Sequence, residues 1–523
     1  MTSSDRELVR SSAGVALGTL LSRVTGLMRI WALAYALGGS VLADTYNVAN
    51  NTPNIVFELI LGGVLTATLV PLFVDAFERD DEEAASAIFG TAMLLLVVLT
   101  VISIAAAPLI AHLFTFRRAH GVDRVAAQQV ATDLIRLFIP QIVFYGLTAL
   151  LSAMLNARRR FLAAAYAPVL NNVVVIALFL ILPHVVTGGT LDIFHVAQSL
   201  PLRLLLGLGT TAGIVLMGVV LFPAVRAAGI HLRFIVSWRN PAVRAAVRLS
   251  GWTVGYVIAN QIALAFVLVI AASRDGVVSA YTYAFAFFQL PYGLLAVSIM
   301  TTLGPELASL ARRGDEEGLR ARFSLGLRGV LVVVTPAAVG YAVLSRQVVV
   351  GLIEHGRFSH TNALLAADAL RGFAFGLVPF CVYLYALRAF YSLRDTKTPF
   401  IINCFENALN IAFAAALYPH FGISGLAYGF SAAYAASAIV ALAMLRPRLA
   451  GLDGARITQT ALKAAAAAAA LAVAIALVAN AITSELLAVI AASVAGALVY
   501  LVALQALGTD EIRATMAAVR RDR

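Results

Sequence analysis

Apolar runs of roughly 20 residues or more recur along the whole of this chain, and each is long enough to cross ~30 Å of hydrocarbon as a helix. A backbone in hydrocarbon must satisfy its own polar groups, and a helix does so within one segment. The runs resolve into about fourteen spans, among them 13–38, 46–76, 277–309, 399–419, 459–480 and 484–507. Only 12% of the residues are charged and 61% are hydrophobic, against about 25% and 45–50% in soluble domains. The fold class expected is an all-α polytopic membrane protein.

The formal net charge of +11 raises the question of nucleic acid, and the position of the charge answers it. With the N-terminus inside, most Lys and Arg fall in alternate loops, including "ARRR" (157–160), "ARRGDEEGLRAR" (311–322), "RAFYSLRDTK" (388–397), "RPR" (446–448) and the terminal "RRDR". This is the positive-inside pattern, with both termini cytoplasmic. The basic balance expresses topology and contact with membrane lipids, and no nucleic-acid partner is expected. The first apolar stretch continues past Arg23 and Arg29 with no small-residue cleavage site, so it reads as a span and not as a cleaved signal.

The chain also repeats itself. "TYNVANNTP" (45–53) resembles "TYAFAFFQLP" (282–291), "DDEEAASAIFG" (80–90) resembles "GDEEGLRARFSLG" (314–326), and "APVLNN" (167–172) resembles "TPFIIN" (398–403). Spans 1–6 therefore correspond to spans 7–12. An even number of spans per copy makes the repeat parallel, about an axis along the membrane normal. The expected organisation is an N-terminal lobe over 1–228, a C-terminal lobe over 229–448, and spans 13 and 14 with a cytoplasmic tail over 449–523. Two-lobed proteins of this kind bind substrate between the lobes near midplane and rock open to either side. The appended pair has three readings: a dimer surface, a lipid-contact groove, or bulk.

Polar residues inside spans point to a wet path, because an Arg at the bilayer centre costs at least ~2.5–3.5 kcal/mol. Span 1 carries Arg23 and Arg29 in "SRVTGLMR", about 120° apart on a helix, with Gly26 a turn from each. Guanidinium is a planar fork of donors suited to phosphate. These two arginines are candidates for an anion site, or else for ion pairs with Asp44 or Glu58. In span 2, Asn47, Asn50, Asn51 and Asn54 share one helix face and Pro53 bends the helix. Gly62 and Gly63 add a second weak point. In span 11, Asn403, Glu406, Asn407 and Asn410 again share a face. Hard oxygen ligands with a carboxylate suit Na⁺ or H⁺ coupling, and a hydrogen-bonded core cluster is the alternative.

Enzyme chemistry finds no support. The chain has no P-loop for ATP, its eight histidines lack metal-ligand spacing, and the two cysteines, Cys381 and Cys404, read as thiols in apolar surroundings. No metal and no cofactor is expected beyond an ion or the membrane potential as driving force.

The motifs "SRVTGLMR", "ADTYNVANNTPNIVFELILGGVLTATLVPLF", "QLPYGLLAVSIMTTLGPELA", "GLIEHGRFS" and "FYSLRDTKTP" together resemble the MurJ (MviN) family, the lipid II flippases of the MOP exporter superfamily. The resemblance runs through all fourteen spans. It implies two six-helix lobes plus two C-terminal helices in the bacterial cytoplasmic membrane. It implies movement of an undecaprenyl-diphosphate-linked peptidoglycan precursor from inner to outer leaflet, with cell-wall synthesis proteins as partners. Ser22, Arg23, Gly26, Arg29 and Asp44 match functional positions of the family. Asn51 stands where many members have Lys, Phe57 and Glu58 where many have two arginines, and Ala286 and Gln289 where many have Arg and Glu. The polar positions of the spans, taken together with that resemblance, are read as a substrate cavity lined by Arg23, Arg29, Asp44, Asn47, Asn50, Asn51, Asn54, Glu58 and Gln289, with bends at Gly26, Pro53 and Pro291. Two rivals remain at this point: a flippase for another polyprenyl-linked glycan, and a cation-coupled drug exporter of the MATE type. A membrane glycosyltransferase would need acidic residues in a sizeable outer loop, and the outer loops here are short.

Overall fold

The computed structural model describes residues 3–58, 69–116, 122–186, 191–241, 243–244 and 251–508. Gly62, Gly63 and the basic terminal tail lie outside the described residues. Among those described, twelve helices are long and apolar enough to cross a membrane. One of them, Lys397–Leu445, is more than twice the length a bilayer requires. It breaks at Gly422, whose φ of 57° and ψ of −135° are not helical, so it supplies two crossings. Span 2 begins as the Val41–Phe57 helix, and the chain beyond the undescribed 59–68 is helical again over Leu69–Glu78.

Local chemistry starts the helices, and it does so twice in the same way. Asp80 (φ 52°) and Gly314 (φ 68°) each take a left-handed turn. The next residue then caps the helix: Asp81 accepts the Ala84 N–H at 2.8 Å and Asp315 accepts the Gly318 N–H at 2.8 Å. Two glutamates follow each cap in the first turn, where acidic side chains complement the helix dipole. A second matched pair of left-handed turns falls at Arg159 (φ 57°) and Arg394 (φ 60°). The repeat seen in the letters is thus also a repeat of backbone conformation.

The described chain divides into two compact units, Met1–Ser279 with Gly356–Phe358, and Ala280–His355 with Ser359–Arg523. The Gly251–Ala271 helix belongs to the first. In that unit, Gly14, Gly18, Ser22 and Gly26 recur every fourth residue along the Ser3–Leu37 helix and meet the Phe161–Val185 helix. A Cβ on Gly14 would lie 2.7 Å from Leu162, and one on Gly18 2.9 Å from Tyr166. Small residues at this spacing let two membrane helices approach closely. Asn172 closes the seam by donating to the Ser22 carbonyl (3.2 Å) and Thr25 Oγ1 (3.0 Å). Gly26 faces that same Asn172 within an unbroken helix.

The second unit is held by an aromatic cluster in which Phe285, Phe288, Phe373, Phe380 and Phe430 meet mostly edge to face, at centroid distances of 5.2–6.1 Å. Edge-to-face pairs add about 0.5–1.5 kcal/mol each beyond burial. The C-terminal helices Gly454–Ala481 and Glu485–Ala506 pack on each other through Gly496 against Ile475. They join the Glu316–Ile353 helix through the Tyr500 hydroxyl, which donates to the Val332 carbonyl at 2.8 Å, and through Gly351 beside Leu486. Their outer faces leave Leu477, Val494, Leu498 and Val502 exposed, as lipid-facing surfaces do.

Candidate functional site

The polar residues of span 2 divide into two groups. Asp44 and Asn47 are buried, while Asn50, Asn51, Asn54 and Glu58 are half-exposed. The Asp44 carboxylate accepts the Gly276 N–H (2.7 Å), the Ser279 N–H (2.9 Å) and the Ser279 hydroxyl (2.7 Å). Asn47 donates its Nδ2–H to Ser279 Oγ at 3.1 Å. These donors surround the start of the Val277–Pro291 helix, where orphan N–H groups and the helix dipole favour an anion. Tyr46, between the two, is fully buried edge-on against Phe138 and Phe179 and shares a 2.8 Å hydrogen bond with Thr210.

Toward the other end of the same helix the polar groups meet span 1. Asn54 hydrogen-bonds the hydroxyl of Tyr145, and the Arg29 guanidinium lies within electrostatic range of both Tyr145 and Tyr46. The Phe57 ring lies 5.8 Å from that of Tyr145. Arg23 is exposed and Arg29 half-exposed, and among the described residues neither forms an ion pair. Tyr145 was not among the residues singled out from the sequence. Its signal is faint: one hydroxyl in the "FIPQIVFYG" run, where Gln141 is the more conspicuous polar residue.

In the second unit, Pro291 ends a helix that passes directly into a π-helical turn, Tyr292–Ala296, before α-helix resumes at Val297. Such a turn is a change of hydrogen-bond register and frequently marks functional sites. Gln289, just before it, is half-exposed. By contrast Pro53 lies inside a helix that continues to Phe57. The span 11 group is buried throughout: Asn403 0%, Glu406 1%, Asn407 6% and Asn410 8% exposed. Asn407 donates to the Asn403 carbonyl at 2.9 Å. Among the described residues neither carboxylate oxygen of Glu406 has a hydrogen-bond partner, and Tyr281 lies within electrostatic range of it.

The described helices form a multi-pass membrane fold of the kind that transporters of the MOP superfamily share. A solved multidrug resistance MATE transporter of that superfamily in an inward-facing conformation matches with a TM-score of 0.66 at 16% identity, over 83% of this chain and 96% of that one. A solved lipid II flippase MurJ in an inward closed conformation matches with a TM-score of 0.76 at 21% identity, over 95% and 99%. The family model described as "Lipid II flippase MurJ" matches residues 33–496, and the chain belongs to that family. A relative from Rhizobium meliloti named "Probable lipid II flippase MurJ" is 30% identical over 80% of this chain and 77% of its own length. The "Lipid II flippase MurJ" of Burkholderia cenocepacia is 29% identical over 73% and 72%.

Proposed function

We propose that this chain is a lipid II flippase: it carries the undecaprenyl-diphosphate-linked peptidoglycan precursor from the inner to the outer leaflet of the bacterial cytoplasmic membrane by alternating access. It is a transporter and not an enzyme. Membership of the family supports the reading. The observation that carries the mechanism is that Arg23 and Arg29 lie in a membrane-spanning helix, accessible and without an ion-pair partner among the described residues. A diphosphate supplies the counter-charge they need, through charge-assisted hydrogen bonds.

In this reading Arg29, Asn54 and Tyr145 receive the headgroup, and Asn50 and Asn51 solvate its sugars. Glu58 extends the polar lining of span 2. Asp44 and Asn47 act from beneath, as the buried network that fixes span 2. The π-turn after Pro291 and the helix weakened by Pro53 absorb the motion, and the seam around Gly26 gives span 1 a smooth face to move against. Both termini are cytoplasmic, in keeping with the charge of the loops. An inside-negative potential favours outward movement of negative charge by about 2.3 kcal/mol per charge per 100 mV. Glu406, with Asn403, Asn407 and Asn410, is the candidate for H⁺ or Na⁺ coupling, because a buried carboxylate without hydrogen-bond donors calls for a proton or a cation. Cell-wall synthesis proteins are the partners to expect.

Depletion of the protein in a host with no second flippase tests the proposal. Lipid II exposed on the outer leaflet, read with an externally added reagent, falls as the protein is depleted. Unchanged exposure overturns the reading.

A further inference from the structure

The stretch that joins the two copies of the repeat carries no regular secondary structure over residues 230–237 and lies along the start of the Glu82–Thr115 helix, within the first unit. The Arg233 N–H donates to Ser86 Oγ at 3.2 Å and the Ser237 N–H to Thr91 Oγ1 at 3.1 Å. Between those contacts Gly90 makes the approach possible, since an added Cβ would run into the Ile235 backbone. Ala84 to Ile88 are buried one after another. At about 100° per residue they cover the whole circumference, so no face of these first turns is open. The joining stretch helps to close them and presents its own outer face instead. In its sequence Ile230, Leu232, Phe234, Val236 and Trp238 fall at alternate positions, the period of one face of an extended chain. The last three are left uncovered: Phe234 is 66%, Val236 40% and Trp238 51% exposed.

The helix beneath gives the level of that face in the membrane. Glu82 and Glu83 are exposed at its start, and no Asp, Glu, Lys or Arg follows from Ala84 to Phe116. Ser86 and Thr91 stand about 6 and 14 Å along the axis from Glu82. Further on, Val97, Val98, Val101 and Ile102 are exposed as lipid-facing side chains. The joining stretch thus lies where the helix passes from charged to apolar. The polar layer on each side of a bilayer is roughly 5–7 Å thick, and it selects aromatic rings and snorkelling basic side chains. Arg233 and Arg239 are exposed beside the apolar face, and among the described residues neither forms an ion pair, with the acidic start of the helix or elsewhere.

We infer that residues 230–239 form an interfacial membrane anchor: Phe234, Val236 and Trp238 enter the boundary between headgroups and acyl chains, and Arg233 and Arg239 meet lipid phosphates. The occupant of this face is bilayer phospholipid, whatever the transported substrate, and it holds the joining stretch at the membrane surface.

Trp238 supplies the readout. The full chain is placed in nanodiscs of phosphatidylglycerol and phosphatidylcholine, and Trp31→Phe with Trp252→Phe leaves Trp238 as the one remaining tryptophan of three. The difference between the parent spectrum and that of Trp238→Phe reads the same residue without those two changes. Trp238 emission is blue-shifted, is lost more to phosphatidylcholine brominated near the headgroup end of its chains than near their tips, and is little affected by acrylamide. Strong quenching by acrylamide without quenching by bromine places the stretch in water and overturns the inference. Quenching by neither shows a face covered by protein and overturns it too. Arg233→Glu with Arg239→Glu, which repels phosphate, raises acrylamide quenching and lowers bromine quenching. Unchanged quenching in that variant overturns the role given to the arginines.

Discussion

Ser279 gives both its backbone N–H and its hydroxyl to one oxygen of Asp44, at 2.9 and 2.7 Å, while the Gly276 N–H takes the other oxygen at 2.7 Å. Every one of these contacts is a donor aimed at a carboxylate. An amide cannot replace it, since its NH₂ group would face an N–H whichever way it turned. Asp44→Asn therefore lowers stability by about 2–3 kcal/mol. Ser279→Ala, which removes the hydroxyl and leaves the Asn47 amide without its acceptor, costs about 1–2 kcal/mol. Thermal unfolding of the purified proteins checks the order: Asp44→Asn melts lowest, Ser279→Ala next, and the parent highest.

Arg29 makes a functional prediction of a different kind. With no ion pair to lose among the described residues, Arg29→Ala leaves Tm within about 2 °C of the parent, yet lowers flipping about 10- to 100-fold, as loss of a charge-assisted hydrogen bond to phosphate does. Arg29→Lys retains the charge but not the fork, and falls between. Complementation of a depleted host, with lipid II exposure measured alongside, separates these outcomes. Full activity of Arg29→Ala removes the residue from the mechanism.

The membrane class and the repeat were legible in the letters because each rests on a one-dimensional property, hydropathy or self-similarity, and the arginines of span 1 stand out as charges in an apolar run. The partners of Asp44 were not, since Gly276 and Ser279 lie more than 230 residues away and no local pattern announces a carboxylate that caps another helix. The four asparagines of span 2 share a helical face, as their spacing requires, but position along the helix separates buried Asn47 from accessible Asn54. Tyr145 was hidden because one tyrosine in an apolar helix resembles any other. The seam Gly14, Gly18, Ser22, Gly26 is readable as a four-residue period, but the arginines beside it carry the stronger signal.

The motif "GLIEHGRFS" contains a backbone clasp. Arg357 N–H donates to the Tyr35 carbonyl at 3.0 Å, and two glycines with positive φ, Gly38 (68°) and Gly356 (62°), allow the two stretches of chain to touch. A Cβ on Gly38 would lie 2.5 Å from the Arg357 carbonyl oxygen, and one on Gly356 2.6 Å from that of Tyr35. Left-handed strain of about 1–2 kcal/mol adds to each clash. Gly38→Ala and Gly356→Ala each cost more than about 2 kcal/mol, whereas Gly304→Ala, where a Cβ meets open space, raises or preserves Tm.

Asp395, in the loop before the Lys397–Leu445 helix, brings a pH dependence. Burial pushes its carboxyl up, but the Thr398 N–H and hydroxyl and the Arg448 charge outweigh that, and the group sits below the usual carboxylate range. A carboxylate depressed in the folded state contributes stability that is present above its unfolded value, about 3.9, and lost as pH falls through the folded one. Asp395→Asn is therefore less stable than the parent at neutral pH, and the two Tm curves converge below about pH 4. A constant gap across that range would show that charge plays no part.

Glu406 separates structure from coupling. Both of its oxygens are buried without a hydrogen-bond donor among the described residues, so a neutral amide of the same shape is no harder to bury than the carboxylate and is easier than its ionised form. Glu406→Gln therefore keeps or raises Tm, which sets it apart from Asp44→Asn, where the same kind of change removes satisfied bonds. A coupling role predicts more than tolerance. In proteoliposomes under an imposed pH or Na⁺ gradient, the parent changes its flipping rate with the gradient and Glu406→Gln does not, while their rates without a gradient stay within about threefold, less than one hydrogen bond's worth of change. If the variant follows the gradient as the parent does, the coupling site is elsewhere. If it unfolds, the carboxylate has a donor that its surroundings do not display.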